Sequence, residues 1–200
     1  MSNTVWKLLL LQLILILPFY LTSHFYTQHL EQSKYKHIAE YFQAHRKSMS
    51  NEATSQNIPV RLIIPSINVD TTIEPVGLTP SGAMDTPNNA TNVGWFNLGS
   101  RPGEIGSAVI DGHFDSENSA NGVFLNLSEL RKGDSIQVED SAGTTKTFVV
   151  RESHEYDPGY LEDVFTRSDG SHLNLITCDG VWDKDKKSFD KRLIVFADLQ

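Results

Sequence analysis

The chain has 200 residues, enough for one domain with a sizeable core plus appendages and too few for two full domains. Charge divides along it: residues 1–57 carry five Lys/Arg and three Asp/Glu (5 − 3 = +2), and the remainder carries 12 and 22 (12 − 22 = −10). So acidic a domain would repel a phosphate backbone across most of its surface, which argues against nucleic acid as a partner. A single cysteine, Cys178, excludes an internal disulfide and a multi-cysteine zinc site.

Taken in chain order, residues 1–7 are a short tail and residues 8–26 read as a transmembrane anchor. No Lys, Arg, Asp or Glu occurs from Leu8 to Leu30, and Leu8 to Tyr26 as a helix spans about 28 Å, close to the ~30 Å hydrocarbon thickness. A cleaved signal peptide is the rival, but Phe19 to His24 supplies no small-residue cleavage pattern. Either reading exports the domain. Residues 27–57 hold apolar positions at loose helical spacing (Leu30, Tyr35, Ile38, Tyr41, Phe42) and then the polar stretch Ser48 to Asn57, which reads as a juxtamembrane helix and a linker.

All 13 glycines and seven of the eight prolines follow residue 57, and punctuation that dense marks 58–200 as a loop-rich, mainly β domain. Strands are predicted at 60–64, 67–70, 72–76, 107–110, 136–139, 146–151, 173–178 and 192–199. Pro75 marks an edge or irregular position. Apolar residues at 123, 124, 127 and 130 predict a short helix, 160–165 predicts another, and Ser141-Ala142-Gly143 predicts a hairpin turn. The last two strands are apolar on both faces, which points to a closed or well-covered sheet, most naturally a small β-barrel.

Three residues carry chemistry. Cys178 ends an apolar strand ahead of the turn dipeptide Asp179-Gly180; it reads either as a small buried apolar residue or as a thiol nucleophile at a strand-to-loop position. A nucleophilic thiol needs a base or a cation beside it. Among seven histidines, His24, His29, His37 and His45 fall in the anchor and connector, His154 in a charged surface stretch, and His172 roughly 20 Å along the strand from Cys178. His113, behind Gly112 at another strand end, remains as a base or as a surface histidine. Arg192 opens the last apolar strand, either as a charge capping a strand end or as a guanidinium that steadies a developing oxyanion.

The segment Leu175-Ile176-Thr177-Cys178, with Arg192 fourteen residues on (192 − 178) in Lys191-Arg192-Leu193-Ile194-Val195, resembles the signature of the sortases. Gly112-His113, 65 residues upstream (178 − 113), is similar to the family's histidine element, and Arg61 to Ile67, Val76-Gly77-Leu78, Gly94-Trp95-Phe96, Pro102 to Gly106 and Arg131 to Asp134 also resemble family positions. The resemblance implies an eight-stranded β-barrel with short helices and an exported, single-pass cysteine transpeptidase of Gram-positive-type bacteria. Such an enzyme cleaves an LPxTG-like sorting signal through a thioester and hands the protein to a peptidoglycan-precursor or pilin amine. It implies Cys178 as nucleophile, His113 as general acid/base and Arg192 as clamp, with Thr177 and Ile176 contacting substrate.

Asn174 departs from the family pattern, where threonine is usual. With no long insertion before Cys178, no aromatic lid in 45–57 and no second span before Gln200, the layout is closest to the compact D, E or F types. No cofactor is implied. Some sortases bind calcium, and Asp111, Asp115 and Glu117 form a local acidic cluster near His113, but their spacing is not that of an EF-hand loop and a solvated loop is the favoured reading over a metal site. Substrate loops are expected at 76–92 and 156–167. An L,D-transpeptidase would carry histidine close before the cysteine, where this chain has Thr177 next to Cys178, and a tethered, non-enzymatic binding domain would bury Cys178.

Overall fold

Period-two alternation decides which face of each strand turns inward. In the strand Ser135–Asp140, Ile136, Val138 and Asp140 are buried while the residues between them are partly exposed. The computed structural model describes residues 57–115, 122–159, 161–185 and 187–200. In it the strands are β1 (Pro59–Ile64), β2 (Val69–Val76), β3 (Val93–Phe96), β4 (Gly106–Gly112), β5 (Ser135–Asp140), β6 (Thr145–Tyr156), β7 (Ser171–Asp183) and β8 (Ser188–Leu199). One short helix, α1 (Glu162–Thr166), and two 3₁₀ turns at Pro65–Ile67 and Leu127–Glu129 complete the described elements. The strands close into a barrel in the order β1-β2-β3-β4-β7-β8-β6-β5.

Six neighbouring pairs are antiparallel, and two, β2–β3 and β4–β7, are parallel. A parallel neighbour obliges the chain to return to the end it started from. The return from β2 to β3 is the segment 77–92, and the return from β4 to β7 ends in α1. Side chains from both returns pack on the outer face of the sheet. The molecule therefore has two apolar clusters. The barrel interior holds Leu62, Ile110, Phe124, Phe148, Leu175 and Val195 among others. The second lies outside the barrel wall, where Phe96, Val109, Val164, Ile194 and Phe196 are buried under Leu78, Met84, Leu161 and Phe165.

The predicted barrel is present, with corrections to its elements. The two predicted strands 67–70 and 72–76 are one strand, β2, preceded by a 3₁₀ turn; Asn68 in the left-handed region ends that turn. Pro75 lies where β2 has run past β1, whose last partner is Thr72, so a missing N–H there breaks no ladder on that side. Strand β3 was not predicted, because a four-residue run containing Gly94 lacks the length and pattern of a strand, yet all four residues are buried between β2 and β4. The predicted helix at 123–130 is instead a run of turns closing in a 3₁₀ turn. Its apolar positions Phe124, Leu127 and Leu130 are buried as a helix would bury them. The hairpin turn at 141–143 is present: the Asp140 carboxylate accepts from the amides of Ala142 and Thr144, both at 2.9 Å. The predicted tail, anchor and connector (1–7, 8–26, 27–57) lie outside the described residues apart from Asn57, and no described helix is long and apolar enough to cross a membrane.

Candidate active site

Strand parity assembles the site. On β7, Leu173, Leu175 and Thr177 are buried on the barrel side, which leaves Asn174, Ile176 and Cys178 on the outer face. The register pairs Cys178 with Arg192 and Ile176 with Ile194 on β8, and Ile176 with Asp111 on β4. Registered neighbours share a face, so Cys178, Arg192, Ile176, Ile194 and Asp111 lie side by side. With His113 at the end of β4 they line a cleft of about 310 Å³, roofed by Leu78 and Met84 from the 77–92 return and by Leu161, Val164 and Phe165 around α1. Both expected substrate loops thus contribute to it.

The cysteine's strand does not end where the sequence suggests. β7 continues to Asp183, and Asp179-Gly180 forms an irregularity in the β7–β8 register, with Gly180 at φ +82°. The thiol therefore sits on a paired strand rather than at the mouth of a loop, a more rigid mount. Cys178 is partly exposed in the cleft, which removes its reading as a buried apolar residue. Burial nonetheless pushes its thiol above the ordinary range; the Arg192 cation opposes this, and the Asp111 carboxyl adds to it. Alkylation by iodoacetamide should therefore be slower at pH 7 than for a free cysteine and should rise about tenfold per pH unit into the alkaline range, since only the thiolate reacts. A rate that levels off below pH 8 would contradict this.

His113 is delivered by Gly112, whose lack of a side chain lets the strand end lie against the core. A Cβ at position 112 would stand 2.6 Å from Phe124 Cδ2 and 2.8 Å from Val123 Cγ1. The His113 Nε2 lies 3.3 Å from Pro87 O. A carbonyl only accepts, so Nε2 carries the proton and Nδ1 is the basic nitrogen of the neutral ring. Arg192 donates from Nη1 to Phe189 O (3.0 Å) and Lys191 O (2.8 Å) and from Nη2 to Ser188 Oγ (3.1 Å), which pins the guanidinium beside the thiol.

The two residues expected to contact substrate, Ile176 and Thr177, both line the cleft, and the Thr177 hydroxyl donates to Gly112 O at 2.8 Å. That buried bond staples the strand bearing Cys178 to the strand bearing His113. Thr177→Val should leave the Gly112 carbonyl without this partner and cost about 1–3 kcal/mol in denaturant unfolding, with Thr177→Ser recovering most of it.

Three features escaped the sequence reading. Asn174 Nδ2 donates to Val164 O at 2.6 Å, so the departure from the family pattern ties α1, the roof, to β7. Phe114, Phe189 and Trp182 make edge-to-face contacts at 5.4 and 5.2 Å, joining the segment after His113 to the β7–β8 hairpin. Asp111 leaves the acidic cluster for the cleft, whereas Asp115 is exposed and Glu117 lies outside the described residues. Among the described residues no three His, Cys, Asp or Glu side chains are grouped to hold a metal. His172 is away from the cleft as expected, bonded to Asp198 (2.7 Å) and Asp169 (2.9 Å), and His154 is exposed beside Glu152.

A thiol, an imidazole and a fixed guanidinium in one apolar cleft on a closed eight-stranded barrel define a cysteine-enzyme site of the acyl-transfer type. Residues 62–200 match the family model of the sortase domain, and the chain belongs to the sortase family, whose members are cysteine transpeptidases. No curated protein sequence matches the chain closely. Solved structures share the fold. The sortase C-1 of Actinomyces oris aligns with a TM-score of 0.57 at 25% identity over 80% of this chain and 81% of its own. The Clostridium perfringens sortase D5 transpeptidase gives 0.55 at 23% over 85% and 98%. Sortase A of Corynebacterium diphtheriae gives 0.57 at 22% over 74% and 62%.

Proposed function

We propose that this chain is a membrane-anchored sortase that cleaves an LPxTG-like sorting signal and transfers the severed protein to a primary amine of the cell wall or of a pilin. The observation that carries this reading is the convergence of Cys178, His113 and Arg192 on one cleft. In the proposed mechanism His113 takes the Cys178 proton, and the resulting thiolate attacks the carbonyl carbon of the signal's threonine. The Arg192 guanidinium steadies the tetrahedral oxyanion, and His113 gives a proton to the departing amine, leaving a thioester. An incoming amine attacks the thioester, gives a proton to His113 and releases the sulfur as thiolate. The largely apolar cleft supports the reading, since it suits the Leu-Pro portion of such a signal.

The uncharged stretch from Leu8 to Leu30 supports placing the enzyme in the cell membrane through residues 8–26, with the domain outside the cytoplasm and residues 27–57 spacing it from the bilayer. The compact D, E or F type remains the subclass reading, carried by the absence of a long insertion before Cys178. The test is mass spectrometry of the full-length chain incubated with an LPxTG-type peptide and a glycine-rich amine. A product cut after threonine and joined to the amine supports the reading. An intact peptide beside an alkylatable Cys178 refutes the LPxTG assignment.

A further inference from the structure

Asp111 holds a position that the chemistry above does not use. It sits two residues before His113 on the outer face of β4, registered with Ile176 on one side and Gly94 on the other, and lines the cleft that holds Cys178. Its Oδ1 is shielded from solvent and has no hydrogen-bond partner among the described residues. Room for that oxygen exists because residue 94 is glycine: a Cβ there would stand 2.7 Å from Oδ1 and 2.9 Å from a Val76 methyl.

A shielded carboxyl oxygen without a partner costs stability, while the residue as a whole is partly exposed where it lines the cleft. Arg192, which lines the same cleft, spends donors on Phe189 O, Lys191 O and Ser188 Oγ. The unmet group accepts N–H donors, and it lies close enough to Cys178 to act on the thiol electrostatically. A ligand that brings a small cation to the reacting centre would pair with the part of this carboxyl that faces the cleft.

We propose that Asp111 is the acceptor-amine subsite: it holds the ammonium of the incoming primary amine beside the thioester and takes the first of its protons. The inference rests on the transpeptidase reading above and adds a second base to it. An amine that arrives as ammonium sheds two protons before its nitrogen belongs to an amide. The Asp111 carboxylate accepts one. His113, neutral after protonating the first leaving group, accepts the other. The C–N bond forms, the C–S bond breaks, and its electron pair leaves on Cys178 as thiolate, so a neutral acid and an imidazolium balance the lost ammonium and carboxylate. Burial, reinforced by the Asp85 charge, favours the protonated Asp111 carboxyl, and the positive charge of the incoming ammonium is what opposes this and draws out the carboxylate.

The test compares the full-length chain with Asp111→Asn, which keeps the shape and removes the charge. With an LPxTG-type peptide and triglycinamide, the ratio of transfer to hydrolysis should fall at least about tenfold in the variant, the loss expected for one charge-assisted hydrogen bond. An unchanged ratio overturns the proposal. A second readout needs no cleavage. Triglycinamide should slow alkylation of Cys178 by iodoacetamide in the wild type and not in Asp111→Asn, and N-acetyl-triglycinamide, which lacks the ammonium, should protect neither. Equal protection of both proteins, or of neither, overturns it. Repeating the protection with Nα-acetyl-lysinamide separates a lysine side chain from a peptide N-terminus as the amine source. If the peptide stays intact while triglycinamide protects Cys178 through Asp111, the sorting-signal reading fails and the amine subsite stands.

Discussion

Cys178→Ala should give a folded barrel that neither cleaves a sorting peptide nor transfers it, with activity down by at least about 10⁴-fold, because no other group in the cleft can form the thioester. The fold should hardly notice. The side chain is partly exposed at the cleft and its strand is paired on both sides, to β4 through Ile176 and to β8 through Cys178 itself. Truncation at such a site costs within about 1 kcal/mol. Mass spectrometry of the products with a denaturant melt separates the two effects. Residual cleavage by a folded Cys178→Ala would sink the thioester mechanism.

Arg192 offers the second large effect and a way to divide its roles. Arg192→Gln should lower kcat/KM by about 10²–10³, the range for losing one oxyanion donor. It should also move the Cys178 alkylation profile to higher pH, since the guanidinium is the group that opposes the upward push on the thiol. Arg192→Lys keeps a cation near the sulfur and loses the planar fork that bonds Phe189 O, Lys191 O and Ser188 Oγ. Its alkylation profile should stay close to the wild type while its turnover falls. Equal turnover in Lys and wild-type enzymes would reduce Arg192 to a simple point charge.

The Asp111 proposal alters how the cleft divides its labour. In that proposal Arg192 and His113 serve bond breaking, and Asp111 joins His113 in serving the amine that follows. Asp111 and Arg192 lie on strand positions whose neighbours are fixed by ladder pairing, and His113 follows directly on the end of β4, which suits an enzyme that uses one cleft twice. Specificity for the donor peptide falls to the return segments instead. Leu78, Met84, Leu161 and Phe165 can vary there without disturbing the barrel, because they pack on the outer cluster and not in the interior one.

The sequence by itself determined the barrel and its reacting groups. Apolar runs such as Leu173 to Cys178 and Leu193 to Ala197 call for a closed or well-covered sheet, and a lone cysteine, a strand-end histidine and an arginine in ordered spacing carry the family's chemistry in their side-chain types. Those are local properties, fixed by period and composition. Tertiary structure alone decided where the polar exceptions point. β3 becomes a strand because β2 and β4 cover it, 123–130 forsakes the helix for turns that bury the same side chains, and Asp179-Gly180 bulges without ending β7. Thr177 binds Gly112 O, Asn174 binds Val164 O and Asp111 lodges against Gly94. Each partner lies tens of residues away or on another strand, except for the ten between Asn174 and Val164, and no local pattern encodes it. Register brings those atoms together, and register is set by the burial of the whole barrel.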